Sequence, residues 1–136
     1  MPLHPLIVHF PIALLLFGTL IEILALWNRQ RFNTTGTILL IAGFVTGVVS
    51  YITGDGAEHF AQEKWGTGVH SLIEIHETLA KVSLILFGGA TGLKILGYFI
   101  PKYQKIMWSI VIILAIIGSV TLALTGNYGG KIVYEN

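Results

Sequence analysis

Five histidines, His4, His9, His59, His70 and His76, are the side chains of this sequence best suited to hold a metal or carry a proton. There is no cysteine, which excludes disulfides, thiolate metal sites, iron–sulfur clusters, thiol nucleophiles and covalently attached haem. A cofactor would therefore be held non-covalently, by imidazole and carboxylate. Two imidazoles on facing helices are the usual cradle of b-type haem in a four-helix bundle. The same pair with Glu74 or Glu77 would instead hold a divalent ion such as copper, zinc or iron. His9 and His76 are the candidate iron ligands, with His4 as the alternative to His9 and His70 as a further cofactor-binding candidate. His59 and Glu77 are secondary metal candidates. The few serines lie mostly within apolar runs, and no nucleophile elbow or phosphate loop occurs, so nothing points to a hydrolase.

The elements that must position these groups are hydrophobic. Of 136 residues, 54% are hydrophobic and only 11% charged, against ~25% charged in ordinary soluble domains; the mean hydropathy is +0.76. A net charge of +1 gives no case for nucleic acid. About 20 apolar residues span the ~30 Å hydrocarbon layer as a helix. Four stretches qualify or nearly so: 5–27, 36–53, 74–100 and 106–125. They predict a single domain, an all-α membrane protein built as an antiparallel four-helix bundle. The first run is read as a mature span, because residues 1–10 hold no Lys or Arg as a signal peptide would.

Arg29, Arg31, Lys102 and Lys105 fall in the first and third connections, and this basic bias places those connections inside and both termini outside. All five histidines then share the outer side. Trp27, Tyr98, Tyr103 and Trp108 are expected at the inner interface, and Tyr51, Trp65 and Tyr128 at the outer one. Gly43 with Gly47, and Gly88 with Gly92, have the spacing that lets membrane helices pack closely.

His70, Glu74, Glu77 and Lys81 recur within ~60° of arc on a helix, one polar stripe. The third helix is therefore expected to start well before Val82. His76 points ~120° from that stripe, in line with Ala80, Ser83, Phe87 and Lys94, as on a face turned into a bundle. His4 and His76 are expected at one level, with His9 a turn deeper. Pro11 is expected to kink the first helix or to mark its regular start. Glu22 and Lys94 are the charges nearest the hydrocarbon, and are expected to pair; a proton path through them is the lesser alternative. The glycine-rich segment 126–134 is expected to leave the helix and run extended over the outer face.

The opening His4-Pro5-Leu6-Ile7-Val8-His9-Phe10-Pro11, the internal Ile75-His76-Glu77-Thr78-Leu79 and the closing Thr125-Gly126-Asn127-Tyr128-Gly129-Gly130-Lys131-Ile132-Val133-Tyr134 resemble the motifs of the domain of unknown function 2231 family. The resemblance covers the whole chain. It implies a bacterial integral membrane protein of four helices, multi-pass in the cytoplasmic membrane, often encoded or fused with cytochrome-type and other redox modules. It assigns no activity. Members often carry His where this chain has Asn127; if that histidine is a ligand, this chain has lost a site or uses His59 or His70 instead.

Together these readings lead to a b-type haem-binding electron-transfer protein or redox-complex subunit with its histidine site at the outer face, a non-enzymatic subunit being favoured over an enzyme without the enzyme reading being closed. Its expected partners are the lipid bilayer, a periplasmic c-type cytochrome or other redox subunit, and a second copy of itself. The alternatives are a divalent-metal binding or transport protein, and a non-catalytic membrane anchor for a periplasmic partner.

Overall fold

The computed structural model describes the backbone of residues 4–134, and the side chains of that stretch apart from residues 4, 5, 55–58, 60, 61 and 67. Among the described residues all but Val8, Leu26, Trp27, Asn28, Gly66 and Ile100 are helical. The elements are a single turn α1 (His4–Ile7) and four long helices, α2 (His9–Ala25), α3 (Arg29–Trp65), α4 (His70–Phe99) and α5 (Gln104–Tyr134). Two 3₁₀ turns, Thr67–Val69 and Pro101–Tyr103, precede α4 and α5.

The breaks have local causes. Proline lacks an N–H and clashes with the carbonyl four residues back, so Pro11 interrupts the helix around Ile7–Val8. The chain restarts at His9 with Pro11 in the first turn, where amides need no intrahelical partner. Asn28 caps α3, its side chain accepting from the Arg31 amide at 3.1 Å. The connection expected across 28–35 is thus three residues long, Leu26–Asn28, because α3 starts at once. Gly66 ends α3 at φ +79°, a conformation that suits glycine, and its amide donates to the Gln62 carbonyl at 2.8 Å. Ile100, preceding Pro101, is pushed to φ −125°, ψ 75°, which stops α4 at Phe99.

Three further boundaries move. Helix α3 runs on to Trp65, past the expected end at 53. Helix α4 starts at His70, four residues before the expected 74, in keeping with the polar stripe. The tail is not extended: α5 continues unbroken through the glycines to Tyr134. The ~1 kcal/mol that each helical glycine sacrifices is offset there by packing, for Gly129 lies against His76 and Ile132 is buried on α4. Three helical stretches, Arg29–Gly54, His70–Phe99 and Pro101–Tyr134, are long and apolar enough to cross a membrane; His9–Ala25 is a shorter apolar helix.

Helix α2 packs on α3 and α5, and α4 packs on the same two, so that α2 and α4 stand diagonally. On the α2–α3 seam Glu22 meets Gly36, Leu15 meets Gly43 and Pro11 meets Gly47. On α3–α4, Thr91 bonds toward Leu40, Phe44 lies on Gly88 and Leu84 on Gly47. On α4–α5, Trp108 lies on Gly97, Phe87 on Gly118 and Ser83 on Thr121. Small residues let the helices close; at Gly43 a Cβ would fall 2.6 Å from Leu15 Cδ2. Gly92 has no such partner within 4 Å, so the Gly88/Gly92 pair is only half used.

The main core joins Leu15, Leu40, Phe87, Ala90, Trp108, Val111, Ala115 and Leu122. Trp108, expected at an interface, is 3% exposed, because Gly97 leaves a slot for its indole. A separate cluster of Val69, Ile73 and Ile132, flanked by Trp65 and Leu72, sits where the part of α3 that runs beyond its apolar stretch meets the start of α4.

Candidate functional site

Polar groups gather at two places inside this bundle. The first is the histidine end. His76 is half-buried on α4, two turns above Ser83, which is itself 2% exposed. Its Nδ1 lies 2.9 Å from the Thr125 carbonyl of α5. A carbonyl only accepts, so Nδ1 carries the proton and the ring is fixed in that tautomer. Gly129, one turn on, faces the ring: a Cβ there would lie 3.2 Å from Cε1. Below, the Ser83 and Thr121 hydroxyls meet at 2.8 Å, Ser83 also donating to the Leu79 carbonyl, and Thr125 donates to the Thr121 carbonyl at 2.8 Å. The face expected to turn inward does so: Ser83, Phe87 and Lys94 are all buried.

The other histidines are less enclosed. His70 is exposed and lies 3.4 Å from Glu74, one turn on, at solvent-facing positions of the polar stripe. His59 and His9 are exposed. On α2, His9 points about 120–180° away from Leu15, Gly18 and Glu22, the face that packs. Glu77 is half-buried. The side chain of His4 lies outside the described residues, but the helix register fixes its level. Continuing the Pro11–Gly47 pairing puts His4 opposite Gly54, and continuing the Leu84–Gly47 pairing puts His76 opposite Asp55. Among the described residues no group of three or more His, Cys, Asp or Glu converges as a metal site would require. His76 itself is anchored through Nδ1 on a backbone carbonyl.

The second place is the opposite, basic end. Glu22 of α2 and Lys94 of α4 pair across the bundle diagonal at 2.9 Å, each 1% exposed. The pairing expected from sequence is present. Two partners were not foreseen. Lys94 Nζ also donates to Asn33 Oδ1 of α3, and it stands 3.9 Å from the centroid of the Trp108 ring. Trp108 Nε1 donates to the Lys94 carbonyl at 3.1 Å, with Arg29 over the same ring at 4.7 Å. Asn33 Nδ2 donates to the Tyr98 hydroxyl at 2.7 Å, and that hydroxyl meets Thr37 Oγ1 at 2.9 Å. Among the described residues Glu22 Oε1 has no hydrogen-bond partner, and it is seated against Gly36. The signal that could have found Asn33 is donor arithmetic: a buried ammonium has three donors, and Glu22 offers one oxygen within reach.

No curated protein and no solved structure matches the chain. One protein-family model does, over residues 1–136, and its description is a predicted membrane protein. Apolar helices of spanning length, small-residue seams and buried polar pairs agree with that description, and the chain belongs to the domain of unknown function 2231 (DUF2231) family.

Proposed function

We propose that this protein is an antiparallel bundle of four membrane-spanning helices that carries b-type haem at its histidine end and serves electron transfer there. The observation that supports it most is His76. Its ring is half-buried between α4 and α5, with its plane and tautomer set by the Thr125 carbonyl, at the level of the α1 turn that carries His4. Backbone anchoring of the distal nitrogen is how proteins orient an imidazole toward a metal.

In this reading His76 and His4 would hold the haem. His9, exposed on the far side of α2, would not. The bound haem would supply one-electron chemistry at its iron. The chain would orient His76 through Thr125, hold α5 close through Gly129, and cover that end with Trp65, Val69, Ile73 and Ile132. Arg29, Arg31, Lys102 and Lys105 lie in or beside the two connections at the other end, and this basic bias supports reading that end as the cytoplasmic side of a bacterial inner membrane, with the histidines toward the periplasm. A c-type cytochrome or other periplasmic redox subunit would then be the partner.

The test is an absorption spectrum of detergent-purified protein, oxidised and dithionite-reduced, from cells supplied with haem precursor. A sharp Soret and α-band that His76→Ala and His4→Ala abolish and His9→Ala retains is the expected result. A featureless spectrum at full haem supply overturns the proposal. Metal analysis of that sample then separates a divalent-ion site, with metal lost on His76→Ala, from a bare anchor.

A further inference from the structure

At the basic end, Glu22 departs from an ordinary buried ion pair in two ways. A carboxylate withdrawn from water needs donors on both oxygens, yet Oε1 has none. A proton on that carboxyl would remove the charge and most of the penalty of the orphaned oxygen. Lys94, by contrast, keeps acceptors of its own. If Glu22 becomes neutral, the ammonium still has Asn33 Oδ1 and the face of Trp108 at 3.9 Å. The centre can thus hold either of two charge states without stranding a buried cation.

The surroundings open toward one side only. Lys94 and Glu22 are each 1% exposed, but Asn33 links Lys94 to the Tyr98 hydroxyl, and Tyr98 is 43% exposed near the end of α4. On the other side Thr19, one turn from Glu22, is 5% exposed and accepts from Ser119 at 3.0 Å. The groups facing the pair are few. Helix α3 brings Gly36, neutral Asn33 and the cation Arg29; α4 brings Lys94 itself and Tyr98; α5 brings the uncharged Trp108.

We propose that Glu22 is a reversible proton-binding site, loaded from the basic end through Lys94. The Lys94 ammonium passes a proton along its 2.9 Å hydrogen bond to the Glu22 carboxylate. The amine left behind regains a proton from water at the Asn33–Tyr98 edge. The net change is one proton from the aqueous phase onto Glu22, with no other bond made or broken. Isolated ionisable groups inside membrane bundles commonly mark such proton relays.

The experiment uses the full-length wild-type protein in detergent micelles and a hydrophobic carbodiimide, which reacts with protonated carboxyls in apolar surroundings. Labelling is mapped by mass spectrometry across a pH series. The expected result is modification at Glu22 in preference to the exposed Glu63 and Glu74. Its rate should rise as pH falls, by about tenfold per unit while the acid is the minor form. Refolding of a variant is not required for this reading. Absence of label at Glu22 at every pH, in protein of native helix content, overturns the proposal and leaves the pair as a fixed clamp. Label at Glu22 with no pH dependence overturns it equally.

Discussion

Lys94→Met isolates what the buried pair contributes to stability. Methionine keeps most of the length and volume of lysine, so the cavity term is small, under about 1.5 kcal/mol. What changes is the donor set of Glu22. Oε1 already lacks a partner, and the substitution removes the one that Oε2 has, at 2.9 Å. A carboxylate 1% exposed is then left with no donor at all. Breaking a buried pair in this way costs about 3–5 kcal/mol. Lys94→Met with Glu22→Gln removes both charges at once, and replacing a whole buried pair is often close to neutral. The double variant should therefore lie within about 1 kcal/mol of wild type, above the Lys94→Met single. The assay is reversible unfolding in mixed micelles, followed by tryptophan fluorescence, for wild type, both singles and the double. The coupling energy should reach at least about 2–4 kcal/mol, at or above the upper end of what contacting residues show. Single effects below about 1 kcal/mol that add up in the double would refute the reasoning, because the pair would then be neither desolvated nor coupled.

Two further outcomes follow from the backbone. Gly43→Ala places a Cβ against Leu15, 2.6 Å from Cδ2 and 3.2 Å from the amide nitrogen, and should destabilise the α2–α3 seam by about 1–3 kcal/mol in the same assay. Gly66→Ala meets no neighbour within 4 Å but must adopt φ +79°, so its loss should be about 1 kcal/mol and confined to earlier fraying of the α3 end, read by amide hydrogen exchange around Gln62–Trp65.

What could be read in the chain beforehand was whatever the membrane leaves no choice about. Glu22 and Lys94 were each alone in an apolar run, and hydrocarbon forces such charges together. The start of α4 was legible because His70, Glu74 and Lys81 mark a solvent-facing stripe at helical spacing, and the same arithmetic turned Ser83 and Phe87 inward. The tail was misread because Gly126, Gly129 and Gly130 carry the local signature of a helix end; what keeps α5 helical is tertiary, the seat of Gly129 on His76 and of Ile132 on Val69 and Ile73. Trp108 was read as interfacial because its slot is made by Gly97, eleven residues away, and nothing in the spacing of either residue announces it. Asn33 is hidden for a simpler reason: by composition it belongs to the polar connection before the second apolar run, and only the early start of α3 brings it to Lys94.

The small cluster of Trp65, Val69, Ile73 and Ile132 divides the molecule by solvent as well as by position. Within the bilayer, burying an aliphatic side chain against another helix changes its surroundings little, and the helices cohere through close packing and polar contacts. In the membrane placement proposed above, the cluster lies past the hydrocarbon layer, where the same residue types meet water and the entropic drive that is absent in lipid returns. Urea, cooling and salting-out solutes act on that second drive. The two tiers of one short chain should therefore come apart under different stresses: denaturant loosens the cap around His76 while the spanning portion stays folded, and bilayer thickness or detergent choice strains the spanning portion while the cap holds.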